Sequence, residues 1–208
     1  ILAVLLALLL GSVLISFWIG YYPLAPGEVA KAFLSRFGYR GEVSSQAVTI
    51  FWSIRLPRIL SAVLIGASLS VAGSVYQGMF RNPLVSPDIL GVSSGASLGA
   101  ALAILNGAPA WLTQIAAFAG GILAVGCSYL ISRRSAHSQT LSLVLTGSMI
   151  MALCNSGVTM IKYVSDPNDV LQQITFWLMG SLTKTDMGSV ILAMGPMVLG
   201  LAAVLLFR

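Results

Sequence analysis

Long runs without a charged residue, separated by short polar or proline-containing connections, dominate the pattern along the chain. A membrane-spanning helix needs about 20 predominantly apolar residues, and no stretch alternates with the period of two that a membrane β-barrel requires. The pattern therefore predicts an all-α, polytopic bundle of about six transmembrane helices in a single transmembrane domain. The predicted spans cover residues 1–20, 59–80, 88–105, 111–132, 135–161 (helical from about Thr140) and 187–207.

Two connections are long enough to hold short helices of their own. Within residues 21–57, residues 25–37 have the spacing of a short amphipathic helix. Within 166–180, Asp166 is expected to cap a helix whose first helical residue is a proline and which ends at Gly180. At about 15 residues this second helix is too short to span, so we expect it to lie along one membrane face.

Small residues recur at every fourth position on three of the predicted spans. Such stripes let membrane helices approach closely, because lipid provides no hydrophobic driving force between helices. We therefore expect a compact bundle. The stripes are Ala62, Gly66, Ser70, Ser74 and Gly78 on the second span, Gly91, Gly95, Gly99 and Ala103 on the third, and Ala116, Gly120, Ala124 and Ser128 on the fourth.

Composition agrees with a membrane protein and excludes a nucleic-acid binder. Of the 208 residues, 57% are hydrophobic and 8% charged, whereas soluble domains carry about 25% charged residues. The formal net charge of +5 comes from residues in the connections, not from a basic stripe. The chain begins at Ile1 and ends at Arg208, directly after an apolar run, so we expect a piece of a longer membrane protein.

The predicted spans contain no ionisable group at mid-membrane depth. Ion-coupled transporters and intramembrane hydrolases usually keep such a group or a metal ligand there. His137, the only histidine, falls in a connection, and Cys127 and Cys154 lie in apolar runs. We therefore expect no catalytic residues, no metal site and no cofactor, and any uphill transport would need a partner to supply energy.

Neutral polar residues do enter the predicted bilayer. Ser148, Asn155, Ser156 and Thr159 cluster on the fifth span, and Gln77 lies near the end of the second. Two interpretations stay open for them, namely hydrogen bonds between helices or the lining of a pathway for a polar solute.

Two motifs flank the second span. Residues 55–58 (Arg-Leu-Pro-Arg) open it, with the proline suited to a first helical turn. Residues 81–91 follow it, and Pro83 and Pro87 predict a structural break there, not a substrate site, because each removes a backbone donor. Asp88 would favour the start of the next helix.

The ordered string of these motifs resembles the FecCD-type permease family, the membrane subunits of binding-protein-dependent ABC importers for ferric siderophores, haem and cobalamin. Residues 176–182 are similar to the family's segment after its fifth span, whereas Val85, Thr146 and Met187 depart from the family pattern. The residues that carry the resemblance include Arg55, Pro57, Arg58, Gln77, Asn82, Pro83, Pro87, Gly91 and Gly95.

The resemblance implies a permease of about ten spans in the cell membrane of a prokaryote. The implied partners are a second permease subunit, ATP-binding cassette ATPase subunits and an extracytoplasmic substrate-binding protein. The implied cargo is an iron(III)-siderophore, with haem or cobalamin as alternatives. A membrane-embedded enzyme and a passive channel are the alternatives of another class.

The resemblance also implies roles for particular residues. Residues 21–57 would lie outside the cell. Charge counting alone would predict the opposite orientation, because seven basic residues lie on that side of the membrane and four on the other. Arg55 and Arg58 would dock the binding protein, the alternative being lipid headgroups. Thr140 and Leu141 would form a cytoplasmic gate, the alternative being an ordinary loop.

Overall fold

The computed structural model describes residues 1–38, 41, 43–134, 139–183 and 185–206. His137 and the part of the predicted gate turn before Gln139 lie outside these residues. Helices and turns make up the described chain, and no strand occurs within these ranges. The helices are α1 (Leu2–Ser16), α2 (Pro26–Leu34), α3 (Ser45–Thr49), α4 (Leu56–Phe80), α5 (Val92–Leu105), α6 (Ala110–Ser132), α7 (Gln139–Val164), α8 (Val170–Met179) and α9 (Met187–Leu206).

Four helical segments have the length and composition to cross a membrane: Ser45–Phe80, Ala110–Ser132, Thr140–Val164 and Met187–Leu206. The spans predicted over 1–20 and 88–105 occur as the shorter apolar helices α1 and α5. The third span is shorter than predicted because a 3₁₀ turn precedes it and ends at Gly91, whose φ of 78° is left-handed.

The second predicted span begins earlier than expected. Helical structure runs without interruption from Ser45 to Phe80, through a π-helical turn at Ile50–Arg55. Pro57 lacks a backbone donor, and the wider π turn before it lets the helix continue past the proline. The connection predicted over 21–57 is therefore shorter, and it contains α2 as expected.

The start predicted for the short helix near residue 166 is wrong, whereas its end is confirmed. The side-chain oxygen of Asp166 accepts a hydrogen bond from the backbone N–H of Asn168 at 2.9 Å, which forms a local turn. Asp169 then adopts a non-helical backbone with φ −136° and ψ −77°, so α8 begins at Val170. Gly180 ends the helix with φ 69°.

The chain divides into two compact units, Ile1–Ser68 with Leu182–Arg208, and Leu69–Ser181. In the first, α2 packs against α3 and the π turn. Aromatic rings fill this contact. Phe17 stacks on Phe51 with 5.0 Å between ring centroids, and Phe33 stacks on Trp52 at 6.2 Å.

In the second unit, α5 packs against α6, α7 and α8. Its apolar core is formed by Ala101 and Ile104 of α5, Val158 and Ile161 of α7, and Ile174 of α8. A short helix that does not span is thus covered on one side by two longer ones.

Small residues form a close contact between α5 and α6, a pairing that the stripes alone did not specify. A Cβ added at Gly95 would come within 2.5 Å of the Gly120 carbonyl oxygen, so the two backbones touch. On the α4 stripe, by contrast, a Cβ at Gly78 would meet nothing within 4 Å among the described residues.

Candidate functional site

The neutral polar residues of the fifth predicted span form one exposed stripe on α7. At about 100° per residue, Leu141, Ser148, Asn155 and Thr159 fall within an arc of about 40°, and all four are exposed. The face from Leu141 to Thr159 extends about 27 Å at 1.5 Å per residue, and its polar part, from Ser148 to Thr159, extends about 17 Å. Ser156 is also exposed, about 80° from Ser148.

The opposite face of α7 makes the helix–helix contacts. Val158 and Ile161 are buried in the apolar core, and Gly147 lies against the backbone of Ile89. The stripe takes no part in these contacts. Its hydroxyls stay within their own helix, Ser148 donating to the Leu145 carbonyl at 2.8 Å and Thr159 to the Asn155 carbonyl at 2.9 Å.

The predicted gate residues lie in the first turn of α7. Thr140 is exposed, and Leu141, which is 50% exposed, shares the face of the polar stripe. One side of α7 thus presents an apolar residue at its N-terminal end and uncharged polar residues beyond it. The gate role of Thr140 and Leu141 stays a prediction.

The segment after α4 is a structural break held by local hydrogen bonds. Arg81 has a positive φ of 49°. The backbone N–H of Asn82 donates to the Gln77 carbonyl at 3.2 Å, and its side-chain oxygen accepts from the Leu84 N–H at 2.9 Å. The Gln77 side chain itself is exposed. Pro83 itself explains the break, because proline has no backbone N–H to continue the helical hydrogen bonds.

The following 3₁₀ turn, Pro87–Leu90, leads into α5 through Asp88, as the motif predicted, and through Gly91, whose backbone the sequence did not predict. Asp88 accepts a hydrogen bond from the Ser93 N–H at 3.0 Å, and Gly91 takes the left-handed backbone. A Cβ at Gly91 would lie 3.3 Å from the backbone nitrogen of Met151. This glycine is therefore required by backbone conformation and by a close approach to α7.

Sequence reasoning missed a buried polar link between this turn, α6 and α7. Ser128 is fully buried, and its hydroxyl donates to the Leu90 carbonyl at 3.1 Å. The Thr146 hydroxyl in turn donates to the Ser128 carbonyl at 3.1 Å. Ser128 stood in a small-residue stripe, which indicated close packing but not a hydrogen bond.

The two arginines of the opening motif occupy different environments. Arg55, at the end of the π turn, is 8% exposed, and its guanidinium donates to the carbonyls of Phe17 and Tyr22. Arg58 is half-buried and donates to the Thr183 carbonyl at 2.6 Å, with its Nε unpaired. The structure does not present them as a matched pair of surface cations, and their docking role stays a prediction.

Within the described ranges, no group of three or more His, Cys, Asp or Glu residues could hold a metal ion. Cys127 and Cys154 are both free thiols. The chemistry that the described residues offer is therefore hydrogen bonding from uncharged groups along α7 and charge from the arginines near the start of α4.

Comparison with known proteins places this geometry in a family. The family model of the FecCD transport family matches residues 7–208. The molybdate import system permease protein MolB of Haemophilus influenzae is 35% identical over 181 residues, 86% of this chain and 53% of its own. The cobalamin import system permease protein BtuC of Halobacterium salinarum is 38% identical over 189 residues, 90% of this chain and 50% of its own.

A solved structure of a metal-chelate type ABC transporter in an inward-facing conformation gives a TM-score of 0.79 at 32% identity. The match covers 94% of this chain and 57% of that one. The chain spans about half the length of the curated relatives it matches. With the family match extending over nearly all of its residues, the chain belongs to the FecCD transport family.

Proposed function

We propose that this chain is part of the permease subunit of a binding-protein-dependent ABC importer and that α7 lines its pathway. The observation that carries the proposal is the uncharged polar stripe on the exposed face of α7. Such a surface offers hydrogen bonds to a polar solute without holding it through a full charge. Membership of a family of transport permeases, and relatives that are import-system permeases, support the assignment.

The proposed assembly places the stripe opposite its counterpart in a second permease subunit. ATP-binding cassette ATPase subunits on the cytoplasmic side would supply the energy, since the described spans carry no ionisable group at mid-depth that could couple to an ion gradient. An extracytoplasmic binding protein would deliver the cargo, and the inner or plasma membrane of a prokaryote would be the location.

The cargo we propose is an iron(III)-siderophore. The similarity to a metal-chelate type ABC transporter supports a bulky chelate, and an uncharged polar stripe about 17 Å long suits a solute that presents neutral oxygen atoms. Cobalamin is the second candidate, favoured by 38% identity to the cobalamin permease of Halobacterium salinarum.

Uptake into proteoliposomes containing the full-length permease, its ATPase and its binding protein tests the proposal. Three probes are compared: a radiolabelled ferric hydroxamate siderophore, cyanocobalamin and molybdate. Uptake of the ferric probe that requires ATP supports the assignment. Uptake of only another probe would reassign the cargo, and uptake independent of ATP would reject the importer.

Ser148→Leu tests whether the stripe lines the pathway. We expect uptake to fall by roughly tenfold, equivalent to about 1.4 kcal/mol in the barrier, while folded yield stays the same. Ser12→Leu is the matched control, because Ser12 is also exposed and donates to the carbonyl three residues earlier at 2.8 Å. Equal effects of the two variants would contradict the lining role.

A further inference from the structure

The helix α2, together with the 3₁₀ turn Ser35–Phe37 that continues it, is fixed to the protein along one side only. Ala32 is fully buried there, and its carbonyl accepts a hydrogen bond from the Trp52 indole at 2.9 Å. The ring of Phe33 stacks on the same tryptophan. These contacts tie α2 to the helical segment that leads into α4.

Part of the remaining surface of α2 is apolar and borders a basic edge. Leu34 is 44% exposed and Phe37 70% exposed. Lys31, also exposed, lies about 60° around the helix from Leu34. Arg36 lies over the Trp52 ring at 5.5 Å. An exposed apolar face bordered by basic residues is typical of helices that lie in a membrane interface.

The depth of α2 follows from the segment to which it is attached. Residues 59–80 carry no charge between Arg58 and Arg81. They extend about 33 Å as a helix, and the hydrocarbon core is about 30 Å thick. Arg58 therefore marks one boundary, and Trp52 lies about 9 Å further out along the helix, which places Trp52, and α2 beside it, near the outer edge of the headgroup layer.

Aromatic residues concentrate in the part of the sequence that contains α2. Nine of the 18 aromatic residues fall within residues 17–52, and Trp18, Tyr21 and Tyr22 are exposed. Trp and Tyr are enriched where a membrane protein crosses the interface between lipid and water. This enrichment is an observation independent of the shape of α2.

We propose that α2 is an interfacial helix, with Leu34 and Phe37 resting on phospholipid acyl chains and Lys31 and Arg36 among the headgroups. Bound there, it holds the outer end of the segment Ser45–Phe80, and Arg58 with it, at a fixed distance from the bilayer. The proposal concerns lipid contact and does not depend on which solute the assembly carries.

Fluorescence quenching in the full-length permease tests this proposal without any transport measurement. Single cysteines are introduced as Leu34→Cys, Phe37→Cys and, as the matched control on the charged side of the same helix, Glu28→Cys, after replacement of Cys127 and Cys154 by alanine. Each is labelled with an environment-sensitive fluorophore in bilayers of phosphatidylcholine and phosphatidylglycerol. The quenchers are acyl-brominated lipid and aqueous iodide.

We expect brominated lipid to quench the labels at 34 and 37 at least twofold more than the label at 28, and iodide to show the reverse order. Iodide quenching equal at all three positions would place the face in water and overturn the proposal. Shielding of 34 and 37 from both quenchers would overturn it in favour of a protein cover. Labelling all three positions keeps the result informative if one variant fails to fold.

Discussion

At the scale of single residues, Arg55 has a structural role that its sequence motif, which predicted a surface residue, did not indicate. Its guanidinium is buried and donates to the carbonyls of Phe17 and Tyr22, just after α1 ends. Arg55→Gln should therefore lower the unfolding temperature of the full-length permease, because hydrogen bonds from a charged donor contribute about 1.5–3 kcal/mol. The measurement is thermal unfolding of the purified protein.

Arg58→Gln is the comparison for this experiment, since Arg58 is half-buried and makes one hydrogen bond, to Thr183. We expect Arg58→Gln to lower the unfolding temperature less than Arg55→Gln does. If Arg58 docks the binding protein, Arg58→Gln should weaken that association more than Arg55→Gln does. Equal unfolding temperatures for the wild type and Arg55→Gln would contradict the structural task.

A second prediction at this scale concerns a pair of glycines on α6. A Cβ at Gly120 would collide with the backbone of Gly95, which cannot move aside, whereas one at Gly126 would meet nothing within 4 Å. Gly120→Ala should therefore reduce folded yield and unfolding temperature, and Gly126→Ala should be neutral or stabilise by up to about 1 kcal/mol. A similar loss in both variants would show that helix contact is not the cause.

At the scale of an element, the start of α9 depends on a carboxylate. Asp186 accepts hydrogen bonds from the hydroxyl of Ser189 at 2.5 Å and from its backbone N–H at 2.9 Å. The bond from the Ser189 hydroxyl has the largest effect and the bond from its backbone N–H the next, and together they hold the pKa of Asp186 below its usual value. A lowered folded-state pKa means that the cap stabilises the helix at neutral pH, and that this stabilisation is lost as the pH falls through the lowered value.

Ser189→Ala should therefore raise the pKa of Asp186 toward the ordinary aspartate value of about 3.9. An NMR titration of isotope-labelled aspartate carboxylates in the detergent-solubilised protein measures it. Ser12→Ala removes a hydroxyl that bonds only to the carbonyl of Leu9 in its own helix and should leave the titration unchanged. An unaltered pKa in Ser189→Ala would contradict the assigned cause.

At the scale of the whole molecule, the proposed gate requires two copies of α7 to approach each other. A cysteine at Leu141 should cross-link across the permease dimer of the full-length importer in at least one nucleotide state. Leu153→Cys is the control, because Leu153 is exposed on the same helix but about 140° from Ser148 and the stripe. Failure of the residue 141 cysteine to cross-link in every nucleotide state would contradict the gate.

Local sequence determined several helix ends. Asn106, Gly107 and Pro109 separate α5 from α6 at the predicted place, and Gly180 ends α8 in a positive-φ backbone. The positions of α6 and α9 differ from the predicted spans by about one residue at an end. The length of an apolar run and the residues of a turn act on their near neighbours in the chain. The sequence pattern alone can therefore predict their effects.

Starts that depend on competing local bonds were less predictable. Asp166 has the residue type of a helix cap, yet its oxygen bonds two residues on and α8 begins at Val170. The same residue type permits either arrangement, and the backbone of Asp169 decided between them.

Only the tertiary structure decided which helix covers which residue. The sequence shows equivalent small-residue stripes on α4, α5 and α6, but the close contact joins α5 to α6 at Gly95 and Gly120. The sequence likewise shows polar residues on α7 but not which side of the helix stays exposed. Packing of the opposite face left Ser148, Asn155 and Thr159 exposed together. Arg55 is buried because the segment after α1 lies against it, and the Phe17 and Tyr22 carbonyls accept its hydrogen bonds. Residue type and spacing determine what a helix face can contact, whereas the partner of that face depends on distant segments that no local pattern records.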